Sequence, residues 1–126
     1  MKNIFFLFLL IPFLANSQLA IFCEKVDHIG NPKNASTEFT VSKNGGFLKL
    51  LVRLKRKANT SSVIIDIFRK NGEKKELDNS ITMSINPFMT WFYKELTFYQ
   101  EGEYQVNVYD EKGKLLAVGK VLIKMK

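Results

Sequence analysis

The stretch Glu101-Gly102-Glu103-Tyr104-Gln105-Val106-Asn107-Val108-Tyr109-Asp110 decides the predicted fold, because apolar and polar residues alternate along it. An alternation of period two is typical of a β-strand that buries one face. One face carries Tyr104, Val106 and Val108, and the other carries Gln105, Asn107 and Tyr109. The stretch therefore predicts a strand that packs one side into the core of a layered β structure.

The segment Gly102-x-Tyr104-x-Val106-x-Val108 resembles the penultimate strand of immunoglobulin-like β-sandwiches. In that family a tyrosine at this place lies at a corner, and its hydroxyl bonds to the backbone just upstream. The resemblance implies that Tyr104 is a structural corner residue whose ring packs inward. Antibody-type domains have a cysteine where this chain has Val106, so the resemblance is to the broad architecture and leaves the function open.

Further strands are predicted wherever apolar residues alternate with polar ones or β-forming residues cluster, over 19–26, 37–42, 47–55, 63–70, 91–99 and 115–125. Asn71-Gly72 predicts a type I′ turn that joins 63–70 to a short strand over 73–77. About seven strands joined by polar turns favour a single antiparallel immunoglobulin-like β-sandwich. A closed barrel is the alternative, although the long polar loops at 27–36 and 57–62 favour crossings between two sheets.

The first 17 residues have the organisation of a secretory signal peptide. A short basic region precedes the apolar run Ile4 to Leu14, and Ala15-Asn16-Ser17 supplies small residues for cleavage after Ser17. The run is too short for a membrane span, which needs about 20 apolar residues. Its phenylalanine-rich character, followed by Ser-Gln, resembles secreted proteins of Bacteroidetes. We therefore predict a signal peptide over 1–17, a domain over 18–126, and export to the periplasm, the outer membrane or the medium.

The single cysteine, Cys23, is predicted to be a buried residue of the first strand. Lipoprotein signals resemble a leucine followed by small residues before the cysteine, whereas Phe22 precedes Cys23 here, so no lipid anchor is predicted. A lone cysteine cannot form a disulfide within its own chain. A bridge to another chain is the alternative.

The chain is basic, with 19 Lys and Arg against 12 Asp and Glu and a formal charge of +7. The basic residues cluster at 53–57, at 69–70 with 74–75, and at 120–126. Nucleic acid is not predicted as a partner, because an exported protein rarely meets it and base stacking would need aromatic residues beside these charges. A solvated basic face that protects strand edges is the first interpretation of these clusters, and a partner such as an anionic surface component or an envelope protein is the alternative.

Residues suited to catalysis are scarce. His28 is the only histidine, and with Cys23 it cannot form a zinc site of cysteine and histidine ligands. Neither a phosphate-binding glycine loop nor a dinucleotide fingerprint is present. Glu95, Glu101 and Glu103 could supply paired carboxylates for glycoside hydrolysis, but such a pair needs a cleft, which a domain of this size rarely encloses. The sequence predicts no catalytic residue, no metal, no cofactor and no enzyme.

One candidate binding surface follows from the predicted sandwich. If the strands that begin at Val63, Glu103 and Leu115 share a sheet, their outward residues meet on its outer face. That face is predicted to carry Ile64, Phe68, Tyr109, Leu116, Val118 and Leu122, edged by Lys70, Lys120 and Lys124. An apolar patch of this kind usually marks an interface. The alternatives are that one strand has the opposite phase or that a loop covers the patch.

The predicted function is that of an exported, non-enzymatic binding or interaction module of the cell envelope, which also forms a weak homodimer. One alternative is a structural subunit of an outer-membrane or secretion assembly that pairs through an edge strand. Another is a stand-alone sorting-type domain, because Gly102-x-Tyr104-x-Val106 and Gly119-Lys120-Val121-x-Ile123-Lys124 are similar to C-terminal sorting domains of Bacteroidetes exported proteins.

Overall fold

A computed structural model describes residues 18–126, and the predicted signal peptide lies outside the described residues. This part of the chain is all-β, and it contains no helix that could cross a membrane. Its ten strands are β1 (Gln18–Cys23), β2 (Lys25–Val26), β3 (Pro32–Lys33), β4 (Glu38–Val41), β5 (Gly46–Arg53), β6 (Ser62–Asn71), β7 (Lys74–Ser84), β8 (Trp91–Phe98), β9 (Gly102–Asp110) and β10 (Leu115–Met125).

Eight of the strands form one continuous sheet rather than the two sheets expected from the sequence. Their order is β7-β6-β9-β10-β1-β5-β8, and β4 pairs alongside β10. The continuity comes from β1, since Gln18 and Leu19 pair in parallel with β10 while residues 20–23 pair antiparallel with β5. The prediction of about seven strands in a two-sheet sandwich is thus corrected to ten strands, of which eight form a sheet that curls into a half-barrel.

A glycine allows β1 to cross so close to β10. A Cβ atom on Gly119 would lie only 2.7 Å from the carbonyl oxygen of Ala20, a contact that side chains do not tolerate. Gly119 is therefore required by a close backbone approach. This crossing directs the remainder of β1 towards β5.

The core lies inside the curl and includes many of the residues that the period-two patterns predict. Tyr104, Val106 and Val108 of β9 are buried, as predicted, and so are the inward residues of β6, Val63, Ile65 and Ile67. Phe98 of β8 packs edge-on against Tyr104 of β9, with 4.9 Å between the ring centroids. Because β8 and β9 are far apart in the strand order, this contact closes the curl over the core.

The hairpin between β6 and β7 differs from the prediction by one residue. The loop consists of Gly72 and Glu73, with Asn71 paired to Lys74, so the predicted Asn71-Gly72 turn is wrong. Gly72 has a φ of 66°, and glycine at the first central position is the requirement of a type II′ turn. The hairpin also extends further than predicted, because β7 continues to Ser84. As a result, Lys70 lies opposite Lys75 rather than Glu73.

The predicted loop over 27–36 contains structure of its own. β2 and β3 form a small hairpin that lies against β1 and β5. Cys23 and Leu51 are fully buried although neither belongs to the main core cluster. Burial raises the pKa of the Cys23 thiol, which disfavours the reactive thiolate. The predicted burial of Cys23 in the first strand is confirmed, although that strand ends at Cys23 rather than at residue 26.

Candidate functional site

The candidate site lies on the outer face of β6, β9 and β10. In antiparallel pairs, directly opposed residues share a face. Ile64 pairs with Tyr109 and Phe68 with Gln105, while Val118 pairs with Asn107 and Leu122 with Glu103. The pairing brings together five of the six residues predicted for the surface, and each of these is partly exposed: Ile64, Phe68, Tyr109, Val118 and Leu122.

Leu116, the sixth predicted residue, does not belong to this face. A β-bulge lies between Leu115 and Ala117, so that β10 advances two residues while β9 advances one, from Tyr109 to Val108. The extra residue changes the phase of the strand. Leu115 consequently lies beside Tyr109 on the outer face, whereas Leu116 packs against the core. The predicted assignment of Leu116 to the outer face is therefore wrong.

A groove of about 400 Å³ runs over this face. We call it the lysine groove, and its lining consists of Thr37, Phe68, Lys70, Lys75, Glu103, Tyr104, Gln105, Lys120, Val121 and Leu122. Phe68 and Leu122 provide apolar side chains from two non-adjacent strands, and β9 runs between them. The groove therefore combines an apolar floor with a charged rim.

Three lysines define the electrostatics of the lysine groove. The ammonium nitrogen of Lys70 lies 3.2 Å from a carboxylate oxygen of Glu103, but both side chains are about half exposed, so this ion pair is weak. Lys75 donates a hydrogen bond to the amide oxygen of Gln105. Lys120 has no ion-pair partner among residues 18–126. The groove thus carries three ammonium groups and one carboxylate.

A row of hydrogen bonds follows β9 along the same face. The Gln105 side-chain amide donates to Asn107 at 3.0 Å, and the Asn107 amide donates to the Tyr109 hydroxyl at 3.1 Å. This row holds the orientation of Gln105, the residue that receives the Lys75 bond. Lys124, predicted for the rim, instead forms an ion pair with Glu38 at 3.4 Å and does not line the groove.

The sequence prediction missed Thr37, Lys75, Glu103 and Gln105 as lining residues. For Lys75 a signal existed: with Gly72 and Glu73 as the two-residue loop, the hairpin register places Lys75 opposite Lys70. Glu103 and Gln105 lie on the predicted outward face of β9, but the predicted surface included only apolar residues from that face. Thr37 comes from the segment before β4, and no local pattern predicts that it meets β10.

A second groove, of about 630 Å³, adjoins the first. It opens where β1 leaves β10, and we call it the β1 groove. Its lining consists of Gln18, Leu19, Ala20, Ile21, Phe22, Ala35, Ser36, Thr37, Val118, Gly119 and Lys120. Thr37 and Lys120 belong to the lining of both grooves. The two grooves are therefore neighbours on either side of the Lys120 side chain.

Tyr104 lies beneath the lysine groove and has the geometry expected for a corner tyrosine. Its hydroxyl donates a hydrogen bond to the carbonyl oxygen of Gln100 at 2.8 Å, and the residue is 4% exposed. Burial raises the pKa of the phenol. The side chain stabilises the strand that carries Glu103 and Gln105, and its hydroxyl is already engaged with the backbone.

The residues with side chains suited to catalysis, His28 and three glutamates, have separate surroundings. His28 is exposed in the loop between β2 and β3. The three glutamates have separate partners, since Glu95 pairs with Lys49 at 2.7 Å, Glu103 with Lys70, and Glu101 accepts a hydrogen bond from the Met125 amide at 2.9 Å. Within residues 18–126, no three His, Cys, Asp or Glu side chains converge as metal ligands would.

No protein-family model matches the chain, and no curated protein matches it either. Among solved structures, a variant of superoxide reductase (neelaredoxin) from Ignicoccus hospitalis is similar with a TM-score of 0.44 and 10% identity, over 85% of this chain and 82% of that one. Superoxide reductase (neelaredoxin) from the same organism gives a TM-score of 0.43 and 8% identity, over 85% and 83% of the two chains. These likenesses concern the overall fold, and no residue role is transferred from them.

The comparison nevertheless corrects the functional prediction. The sequence predicted a non-enzymatic binding or interaction module because a small all-β chain without catalytic residues was expected to be one. Both similar structures carry the name of a reductase. The prediction of a non-enzymatic envelope module, with its alternatives of an edge-pairing subunit and a sorting domain, is contradicted by these names and is not retained.

Proposed function

We propose that the lysine groove binds a small amphipathic anion, with the charged group at the lysines and the apolar part on Phe68 and Leu122. The supporting observation is that Lys70, Lys75 and Lys120 surround an apolar floor while Glu103 supplies the only carboxylate of the lining. Ammonium groups form their strongest hydrogen bonds with carboxylate, phosphate or sulfate. The volume of about 400 Å³ lies within the range of small-molecule sites, about 300 to 1,000 Å³.

The pairing of Lys70 with Lys75 supports an anionic ligand. Like charges directly opposite each other on a sheet destabilise the pair of strands. Glu103 and Gln105 offset this repulsion only in part, because each contacts one lysine. A bound anion between the ammonium groups would remove the repulsion and gain charge-assisted hydrogen bonds, so the arrangement favours the occupied groove.

The experiment that tests the proposal is calorimetric titration with octanoate, compared with neutral 1-octanol. We expect octanoate to bind and octanol to bind much more weakly, because only octanoate interacts with the lysines. Lys120→Gln should weaken octanoate binding by about 1 kcal/mol, roughly fivefold, as expected for one charge-assisted contact in a solvent-exposed groove. Affinity should also fall as salt is raised, since exposed charges are screened.

The matched control is Lys112→Gln, which removes an exposed lysine in the turn between β9 and β10, outside the groove. This variant should bind octanoate like the unmodified protein. Equal affinity for octanol and octanoate, or an equal effect of the two substitutions, would contradict the proposal. Chemical-shift changes confined to residues outside the groove would also contradict it.

We also propose that the chain is exported and cleaved after Ser17. The support comes from the basic start, the apolar run and the small residues before Gln18. The lysine groove would then meet anions of the periplasm, the cell surface or the medium.

A finer description of the fold is likewise a proposal. An immunoglobulin-like arrangement is supported by the strand neighbours: β1, β5 and β8 correspond to the family's A, B and E strands, and β6, β9 and β10 to its C, F and G strands. The corner geometry of Tyr104 supports the same assignment. In this description β7 is the additional strand beside C that variable-type domains have.

A further inference from the structure

The β1 groove differs in character from the lysine groove that it adjoins. Leu19, Val118 and Ala35 contribute apolar side chains, and Leu19 is 72% exposed. Lys120 is the only charged residue of its lining, and it is shared with the lysine groove. An exposed leucine beside a valine on a sheet face is a favourable contact for another apolar group.

The crossing of β1 over β10 creates this groove. After Leu19, β1 turns away to β5, while β4 pairs with β10 only from Leu122 onwards. Gly119 and Lys120 consequently lack a strand neighbour on that side of β10. Ala20 and Phe22, which belong to the core, lie at the bottom of this gap. The strand register forms one wall of the groove, and Ala35, Ser36 and Thr37 of the segment before β4 form the other.

We infer that the two grooves form one continuous site for a long-chain amphipathic anion, of which a free fatty acid is the specific case. The carboxylate lies among Lys70, Lys75 and Lys120, the first part of the acyl chain lies on Phe68 and Leu122, and the remainder continues past Thr37 into the β1 groove. This inference rests on the proposed function of the lysine groove and adds the length of the ligand.

The shape of the site favours a single-chain acid over a membrane surface as the ligand. The lining is concave on both sides of Lys120, with volumes of about 400 and 630 Å³. A concave site takes up a separate ligand, whereas a bilayer needs a protruding apolar surface. Three lysines face a single glutamate, so the rim is positive and attracts a carboxylate.

The test is a titration series with hexanoate, octanoate, decanoate and dodecanoate, each as monomer in solution. We expect affinity to continue rising beyond octanoate, by about two- to fourfold for each methylene that enters the β1 groove. Leu19→Gln, which adds no charge beside Lys120, should abolish the gain beyond octanoate while leaving octanoate binding within about twofold. Ile29→Gln, which changes a similarly exposed residue (62%) outside both grooves, should retain the full gain.

The outcomes separate this inference from the proposal on which it rests. If octanoate binds but dodecanoate binds no more tightly, the extended site is refuted and the lysine groove alone remains. If octanoate fails to bind, the proposed function itself is refuted. Binding to vesicles of anionic phospholipid without binding to monomeric acids would replace the single-chain ligand by a membrane surface and would overturn the inference.

Discussion

At the scale of the single residue, Tyr104 connects the core to the site. Its ring packs against Phe98, its hydroxyl binds the Gln100 carbonyl, and its strand neighbours Glu103 and Gln105 line the lysine groove. Substitution of Tyr104 should therefore lower the stability of the fold, and any change in the lysine groove should follow from that loss of stability.

Tyr104→Phe should lower the free energy of unfolding by about 1 to 3 kcal/mol, because it leaves the Gln100 carbonyl without this donor. Tyr104→Ala should lower it by about 3 to 5 kcal/mol through the cavity left by the ring. Urea denaturation measures both values. Tyr99→Phe is the control, since Tyr99 is 69% exposed, and its effect should stay within about 0.5 kcal/mol. Wild-type stability of the Ala variant would show that Tyr104 does not organise the core.

The contribution of Tyr104 to the free energy of unfolding should also depend on pH in the alkaline range. Because burial raises the pKa of Tyr104, the folded state favours the neutral phenol. The stability that this provides is fully present below the unfolded value of about 10 and is lost as the pH rises through the folded pKa. Cys23, whose pKa is also raised by burial, shifts stability in the same direction. The difference in stability between wild type and Tyr104→Phe should therefore shrink as the pH rises above about 10.

At the scale of the element, the bulge in β10 places two adjacent leucines in different environments. Leu116→Ala should destabilise the protein by about 2 kcal/mol, because Leu116 packs against the core. Leu115→Ala should change stability by about 0.5 kcal/mol or less, because Leu115 lies on the outer face beside Tyr109. Thermal or urea denaturation of the pair provides the measurement. Equal effects, or a larger effect at Leu115, would place the bulge elsewhere.

The elements also show which features of the fold could be predicted. β9 alternates regularly between apolar and polar residues, so its inward face followed directly from the sequence. β6 is apolar on both faces, and only Asp66 marks its outward face between Ile65 and Ile67. Leu115-Leu116-Ala117-Val118 is apolar throughout, and such a run has no phase that a period-two pattern can detect. The pairing of β1 with both β10 and β5 depends on contacts distant in sequence. Thr37 was missed in the lysine groove for the same reason, whereas Glu103 and Gln105 were missed because only apolar residues of the outward face were included in the predicted surface.

At the scale of the whole molecule, the proposed export predicts the mature N-terminus. Mass spectrometry of the protein from its native host should find Gln18 as the first residue, in its free or cyclised form. Cleavage is expected because small residues precede Gln18 and the apolar run is too short to remain as a span. Replacement of Ala15 and Ser17 by bulky residues should retain the uncleaved form. A native protein that still begins at Met1, or that carries lipid on Cys23, would refute the prediction.

The position of β1 also determines how the molecule responds to tension. β1 and β10 run parallel where they meet, and β10 continues parallel to β4. A pull that separates Gln18 from Lys126 drags β1 and β10 in opposite directions along their own length. Hydrogen bonds loaded in this shearing geometry share the force and must break together, whereas those of a hairpin pulled at its open end break one after another. We therefore expect the two residue pairs that join β1 to β10, Gln18 with Ala117 and Leu19 with Val118, to carry such a load in shear.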